Sequence, residues 1–523
     1  MQRIRLKLMT SLIGLSLSGC VATELKTLPA QQQANPWFSE ARQALAQRTA
    51  LLATDGYTAR RAKNIILFVG DGMGVSTVTA ARILEGQLRG QSGEENWLSF
   101  EWFPYTGFSK TYNVDAQTPD SAGTMTAMVT GVKTNMGVLG LNETAQRGHC
   151  HAADQELMSI LELAELNGLR TGLVTTTRLT HATPAALYAK SSERDWEDDR
   201  LTPAGCTDIA RQFVRLEQRL KQHDRDYAGR GIDIALGGGL RHFLPETEGG
   251  QRTDGNNLVQ QWQSADTGRL FIQQAVNLQQ LEKHDQVLGL FSNSHLPYEL
   301  DRLRQPDQPS LSQMTKAAVR FLQPDTEQNG YFLMIESGRI DHAHHAGNAQ
   351  IALRETIEFS NAVKVALDLV DLNETLIIVT ADHSHVMTMS GYPKRGNPIL
   401  GKVIKPGSNT PELADDQQPY TTLSYANGRG LHDFDIAEEI NPDRRYAEPL
   451  NTGRVPLPDD TKHAGFHQQA LVPLKSETHG GEDVAIYGIG PGSALVGGTQ
   501  EQNIIFHIML QALGLAVPAN DAP

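Results

Sequence analysis

The 523-residue chain has little cysteine: Cys20, Cys150 and Cys206 are all it contains. The Cys-x₂-Cys spacing of a structural zinc site is absent. A basic excess is also absent, with 46 Lys and Arg against 60 Asp and Glu and a formal charge of −14. Such a chain repels a phosphate backbone, which argues against a nucleic-acid partner. Beyond the first 19 residues no apolar run reaches the length of a membrane helix. Internal repeats and low-complexity tracts are missing too, so solenoid and disordered classes are set aside. The length allows two or three domains, or one large α/β domain.

What is present begins at the amino end. Arg3, Arg5 and Lys7 precede an apolar core from Leu8 to Leu17, too short to span a bilayer and ending in small residues. Residues 1–19 therefore read as a signal peptide. Leu17-Ser18-Gly19-Cys20 resembles a bacterial lipobox, which implies cleavage before Cys20 and lipid on its thiol. Val21 stands where an inner-membrane retention signal has Asp, so the expected location is the periplasmic side of the outer membrane, or the cell surface. Cleavage removes three positive charges and no acid, leaving −17. Residues 20–36 read as a lipidated tether and 37–523 as the folded domain. Cys150 and Cys206 then remain as one disulfide of an oxidising compartment or as two buried thiols.

Helical spacing marks Trp37–Leu52, Val75–Leu88, Gln155–Asn167, Met314–Leu322, Ala349–Leu369 and Gln500–Leu513. Short apolar runs mark strands at Asn64–Val69, Thr171–Thr176, Ile232–Leu236, Tyr331–Ile335, Thr375–Thr380 and Asp483–Gly488. This alternation predicts an α/β fold, a large mostly parallel sheet with helices on both faces. From about 387 to 473 the rhythm breaks into Gly, Pro, Asn and charge, as expected of an inserted, partly irregular or β-rich subdomain.

In such sheets the ligand lies beyond the carboxyl ends of the strands. Those ends carry Asp71, then His181 and Thr183, then Glu336 with Asp341, His342, His344 and His345, then Asp382 and His383; His479 precedes the last strand. Each has a plain reading as a turn former, a cap or an ion-pair member. Together, carboxylates and imidazoles gathered on one rim describe a divalent-metal site, imidazole suiting zinc and oxygen-only sets suiting magnesium. Thr118-Pro119-Asp120-Ser121-Ala122-Gly123 adds a hydroxyl at a helix start. Pro119 disfavours helix before it, and Asp120 or Ser121 can serve as the cap.

The chain resembles alkaline phosphatases. The likeness lies in Phe68 to Gly74, Asp120-Ser121-Ala122-Gly123-Thr124, Thr180 to Pro184, Glu336 to His345, Thr380 to Ser384 and Glu477 to Val484, and runs from about Asn64 to Leu513. It is closer to the animal-type enzymes through Asp341 to His345, Gly391 to Gly396 and Glu482 to Ala485. The resemblance implies two zinc ions and one magnesium. Asp341, His345 and His479 would hold the first zinc, and Asp71, Asp382 and His383 the second. Magnesium would share Asp71 and add Thr183 and Glu336. His181 stands where some members have Asp, expected to reach magnesium through water, and His342 where some have Lys. His344 and His385 match no ligand position. Ser121 would be the nucleophile of a phosphoserine intermediate and Arg194 the phosphate clamp, with His181 and His342 beside the substrate.

Phosphate monoesters hydrolysed at alkaline pH are the implied reaction. The resemblance also implies a homodimer, a crown-like role for 387–473 with Tyr392 reaching the partner's site, and a family disulfide near Cys150 and Cys206. Where calcium-binding members have Phe-Glu, this chain has Phe291-Ser292 and one carboxylate fewer. Two other classes compete. A sulfatase needs Pro and Arg at fixed offsets from its nucleophile, which Ser121 to Met125 lacks, and a two-metal diesterase has no use for Thr183 and Glu336. A lipoprotein that only binds phosphate or metal would not need the full set of nucleophile, arginine and ligands.

Overall fold

The computed structural model describes residues 26–54, 58, 60–323, 329–434 and 450–515. Cys20 and the signal peptide lie outside the described residues. Ten strands make the main sheet, numbered in chain order: β1 Asn64–Gly70, β2 Tyr105–Lys110, β3 Arg170–Arg178, β4 Ile234–Gly238, β5 Arg269–Ile272, β6 Gln286–Leu290, β7 Tyr331–Ser337, β8 Thr375–Ala381, β9 Val484–Ile489 and β10 Gly498–Glu501. Across the sheet they run β10-β2-β9-β8-β1-β7-β3-β4-β6-β5. All neighbours are parallel except those of β9, which is antiparallel to β2 and β8.

The central strands β1, β7 and β8 are buried at every position because both faces are covered. In β1, Ile65, Leu67 and Val69 enter one core and Ile66 and Phe68 the other. Helix Ser121–Thr130 and helix Ile504–Leu513 pack in the first core, and Val75–Leu88, Leu311–Leu322 and Ala349–Leu369 in the second. Strands β2, β5, β6 and β10 were not expected. Gly498–Glu501 has no apolar residue and β2 shows a mostly exposed pattern, so partners rather than composition make them strands. Gln286–Leu290 did carry the signal of a short apolar run.

Residues 26–36, expected as tether, are instead docked on the body. Gln32 is buried and donates to the carbonyls of Thr130 and Met158, while its Oε1 accepts from Met158 N. Within 387–473 the described residues form a three-stranded sheet of Met387–Met389, Leu423–Gly428 and Ala470–Pro473, and a pair, His432–Asp433 with Phe466–His467.

Candidate metal centre and nucleophile

Register places the site. Thr175 pairs with Glu336, Glu336 with Val69, and Val69 with Thr380, one level across β3, β7, β1 and β8. Gly70 pairs with Ala381, so Asp71 and Asp382 follow together at the carboxyl edge, on strands about 4.8 Å apart. The helix Arg339–His345 leaves β7 and brings Asp341 and His345 to one face at i, i+4. His479 arrives on a two-residue strand paired with the chain after β8, opposite His385.

Asp341 Oδ1 lies 3.3 Å from His345 Nε2 and 3.3 Å from His479 Nε2, and the two nitrogens are 3.1 Å apart. His383 Nε2 lies 3.4 Å from Asp71 Oδ1 and 3.4 Å from Asp382 Oδ2. A tetrahedral cation with ligands at about 2.0–2.1 Å demands edges of about 3.3 Å between them, which the first set meets on three edges and the second on its two edges to His383. The tautomers agree. His345 Nδ1 donates to Glu477 O at 2.6 Å, His479 Nδ1 to Pro119 O at 2.7 Å and His383 Nδ1 to Ser384 O at 3.2 Å. Each ring is thereby protonated on Nδ1 and turns the Nε2 lone pair into the site.

Asp71, Glu336 and Asp382 are each 0 % exposed, a density of carboxylates that needs cations. Without them, burial first and then the Asp382, Asp341 and Glu336 charges push Asp71 well above the carboxylate range. Burial pushes Glu336 up to about 7 and raises Asp382 as well. Thr183 Oγ1 is 3.4 Å from Asp71 Oδ2. A His181 ring nitrogen and carboxylate oxygens of Asp71 and Glu336 lie within 4.8 Å of one another. Glu336 Oε1 and His181 Nδ1 are buried without a hydrogen-bond partner among the described residues. Asp71, Thr183 and Glu336 thus offer an oxygen set, and the imidazole expected to act through water is near enough to join it.

Ser121 opens its helix at 2 % exposure, with Oγ 3.2 Å from His383 Nε2 and 3.4 Å from Asp71 Oδ1. The cap is Asp120, not Ser121. Asp120 Oδ1 accepts from Gly123 N and Asn113 Nδ2, and Oδ2 accepts from Gly137 N at 3.0 Å and Arg194 Nη1 at 2.9 Å. One carboxylate therefore starts the Ser121 helix and aims the arginine. Arg194 Nη2 is 3.3 Å from His181 Nε2. His342 packs on His181 and on His295, with ring centroids 5.4 and 4.2 Å away. Burial, then the charges of Arg194 and Arg178, lower His181 to about 3, and burial and Arg339 lower His342.

Sequence reasoning passed over Thr175, Thr177 and His295, took Asp120 only as a candidate cap, left His385 structural and named Glu477 only within a motif. Thr175 and Thr177 both donate to Glu336 Oε2, the latter at 3.2 Å. His385 joins the first cluster by distance, yet its two ring nitrogens face carboxylate oxygens, Glu477 Oε2 at 2.6 Å and Asp341 Oδ1 at 2.7 Å, which accept, so both nitrogens are placed as donors. His344 is spent between Thr77 Oγ1 and Tyr425 OH. Phe291 O, next to Ser292 where the carboxylate is missing, accepts from Gln308 Nε2 at 2.7 Å.

The alkaline phosphatase family model matches residues 62–515. The chain belongs to the alkaline phosphatase family. It is 43% identical to the tissue-nonspecific isozyme of Gallus gallus over 474 residues, 86% of this chain and 84% of that one. It is 40% identical to the membrane-bound alkaline phosphatase of Bombyx mori over 505 residues, 92% of this chain and 86% of the other. The alkaline phosphatase of Thermus thermophilus shares the fold, with a TM-score of 0.62 at 23% identity over 88% of this chain and 92% of that one. The enzyme of the Antarctic bacterium TAB5 does so at 0.58 and 21%, over 87% and 99%. Within the family the chain sides with the animal-type enzymes, and it is a metal-binding phosphomonoesterase. Cys150 and Cys206 form a disulfide, with Cα atoms 5.2 Å apart.

Proposed function

We propose that this alkaline phosphatase uses two zinc ions and one magnesium to hydrolyse phosphate monoesters through a phosphoserine on Ser121, working best at alkaline pH. The observation that carries the reading is the Ser121 hydroxyl, within 3.2 to 3.4 Å of His383 Nε2 and Asp71 Oδ1, which share one candidate cation position. Asp341, His345 and His479 would hold the first zinc, Asp71, Asp382 and His383 the second, and Asp71, Thr183 and Glu336 the magnesium. When bound, such ions lower the pKa of nearby oxygens and neutralise charge on the attacking and leaving oxygens of an in-line displacement.

The chain's own residues do the rest. Arg194, held by Asp120, presents a planar fork to two phosphate oxygens. Ser121 Oγ attacks phosphorus as its proton leaves, the P–O bond to the leaving alcohol breaks, and the serine carries the phosphoryl group. The amino end of a ten-residue helix favours that anion. Water then cleaves the phosphoserine, releasing inorganic phosphate and restoring the hydroxyl. Neutral His181 lies against the clamp and neutral His342 packs on His181, neither adding charge. On the open side lie His345 and His479, with side chains 31 % and 14 % exposed, where leaving group and water exchange.

Metal analysis of the purified protein alongside turnover of a phosphomonoester and its methyl diester tests this. Two zinc ions, chelator sensitivity and a strongly preferred monoester are expected; a zinc-free, chelator-resistant enzyme or a faster diester contradicts it. The same reading anchors the protein through lipid on Cys20 to the periplasmic side of the outer membrane or the cell surface. Cys20→Ser should then move it from the membrane to the soluble fraction. It also includes a homodimer built on 387–473, where Tyr392 is 81 % exposed, and sedimentation at micromolar concentration checks that mass.

A further inference from the structure

Glu477 belongs to no ligand set, yet it is 1 % exposed and every polar atom it owns is engaged around the first zinc position. Its main-chain carbonyl accepts from His345 Nδ1 at 2.6 Å, and its amide donates back to His345 O at 3.1 Å. In the side chain, Oε1 accepts from Val386 N at 2.8 Å and Oε2 from His385 Nδ1 at 2.6 Å. His385 in turn donates from Nε2 to Asp341 Oδ1 at 2.7 Å. Two of the three candidate ligands, Asp341 and His345, are therefore oriented from one buried residue, and the third, His479, lies two positions further along the chain.

We propose that Glu477 is the positioning residue of the first metal site, acting on Asp341 through His385 and on His345 through its own backbone. The insertion braces it. Gly428, at φ 130°, lies where a Cβ would come 3.2 Å from the Glu477 Cβ, and Asn427 Oδ1 accepts from Thr478 N at 3.0 Å. The strand Leu423–Gly428 also carries Tyr425, whose hydroxyl bonds His344 Nδ1 at 2.8 Å, next in sequence to His345. The inserted segment thus supports the ligand shell as well as covering surface.

The inference rests on the zinc reading above, and wild type separates the two. Metal-stripped wild-type protein titrated with Zn²⁺ against a chromophoric chelator must bind two ions tightly; if it does not, the zinc reading itself falls. Given two tight sites, Glu477→Gln should weaken one by about 10–100-fold and leave the other unchanged, as loss of an outer partner does. The visible spectrum of the Co²⁺-loaded variant should change in the same site, which a merely structural role would not cause. His385→Gln should produce the same loss, and the double variant no more than either alone, because the two act in series. Equal affinity in Glu477→Gln and wild type, or losses that add in the double variant, overturns the proposal. Should Glu477→Gln fail to fold, His385→Gln decides alone: a selective loss at one site upholds the relay and unchanged binding refutes it.

Discussion

Ser121 and Asp120 are neighbours with opposite duties, and the difference is one of geometry. Asp120 takes the cap because its extended backbone, φ −118°, turns its carboxylate back onto Gly123 N. That frees the Ser121 hydroxyl to face Asp71 and His383. Ser121→Ala should abolish the covalent phosphoenzyme, read by acid-quench trapping, while bound metal per chain stays as in wild type. Turnover that survived the change would remove serine from the mechanism. Arg194→Ala should raise both KM and the inhibition constant for inorganic phosphate by about 10–100-fold, the worth of a charge-assisted hydrogen bond or two. Glu477 and His385 show how a residue can matter without touching metal. Composition could not single them out, since one more Glu and one more His look like surface polarity until both are found buried and bonded.

At the scale of elements, the site is made by strand register and one helix start. Four adjacent strands end at one level, so a shift of one residue in β1 or β8 would turn Asp71 or Asp382 to the wrong face. The helix Ser121–Thr130 is the second requirement. A Cβ at Gly123 would stand 2.6 Å from Asn113 Oδ1, and Asn113 also donates to Asp120. Gly123→Ala should therefore loosen cap and arginine together, costing about 1 kcal/mol of stability and raising KM more than it lowers kcat. Melting temperature and a Michaelis curve on the same sample check both parts. The long helices Val75–Leu88 and Ala349–Leu369 were legible at their observed bounds because their periodic apolar face is wide. Strands β2 and β10 were not, because one is mostly exposed and the other wholly polar, and pairing with neighbours defines them.

The whole molecule holds its carboxylates against their own repulsion, and that shows in its pH dependence. In the metal-free protein burial pushes Glu336 from its ordinary 4.5 up to about 7. A raised folded value means the fold favours the protonated acid. Its stabilisation is complete below about pH 4.5 and is lost as pH rises to about 7, of the order of 3 kcal/mol for this group. Measured against Glu336→Gln, which removes this titration alone, chelator-treated wild type should lose stability between about pH 5 and 7, and reloading with Zn²⁺ and Mg²⁺ should remove that difference. A difference in melting temperature that did not change with pH would contradict the burial of Glu336. The Cys150–Cys206 bridge closes a separation of 56 residues. Its removal should cost about 4 kcal/mol by loss of the loop constraint on the unfolded chain, measured by denaturant titration of Cys150→Ser/Cys206→Ser.

By itself the sequence determined the class of fold, the order of strands that end in ligands, and the chemical types gathered there, because apolar periodicity and donor chemistry are local properties of the chain. It also contained the pairing of Ser121 with a helix start. Only the tertiary structure decided which atoms converge. That Asp341, His345 and His479 meet, that Asp120 rather than Ser121 caps, that residues 26–36 dock, and that His385 is a donor all depend on contacts between segments far apart in the chain. Such contacts follow from register and packing, which no local pattern encodes. The hydroxyl of Ser121 is a helix-end serine in the sequence; the strands behind it set it beside Asp71 and His383.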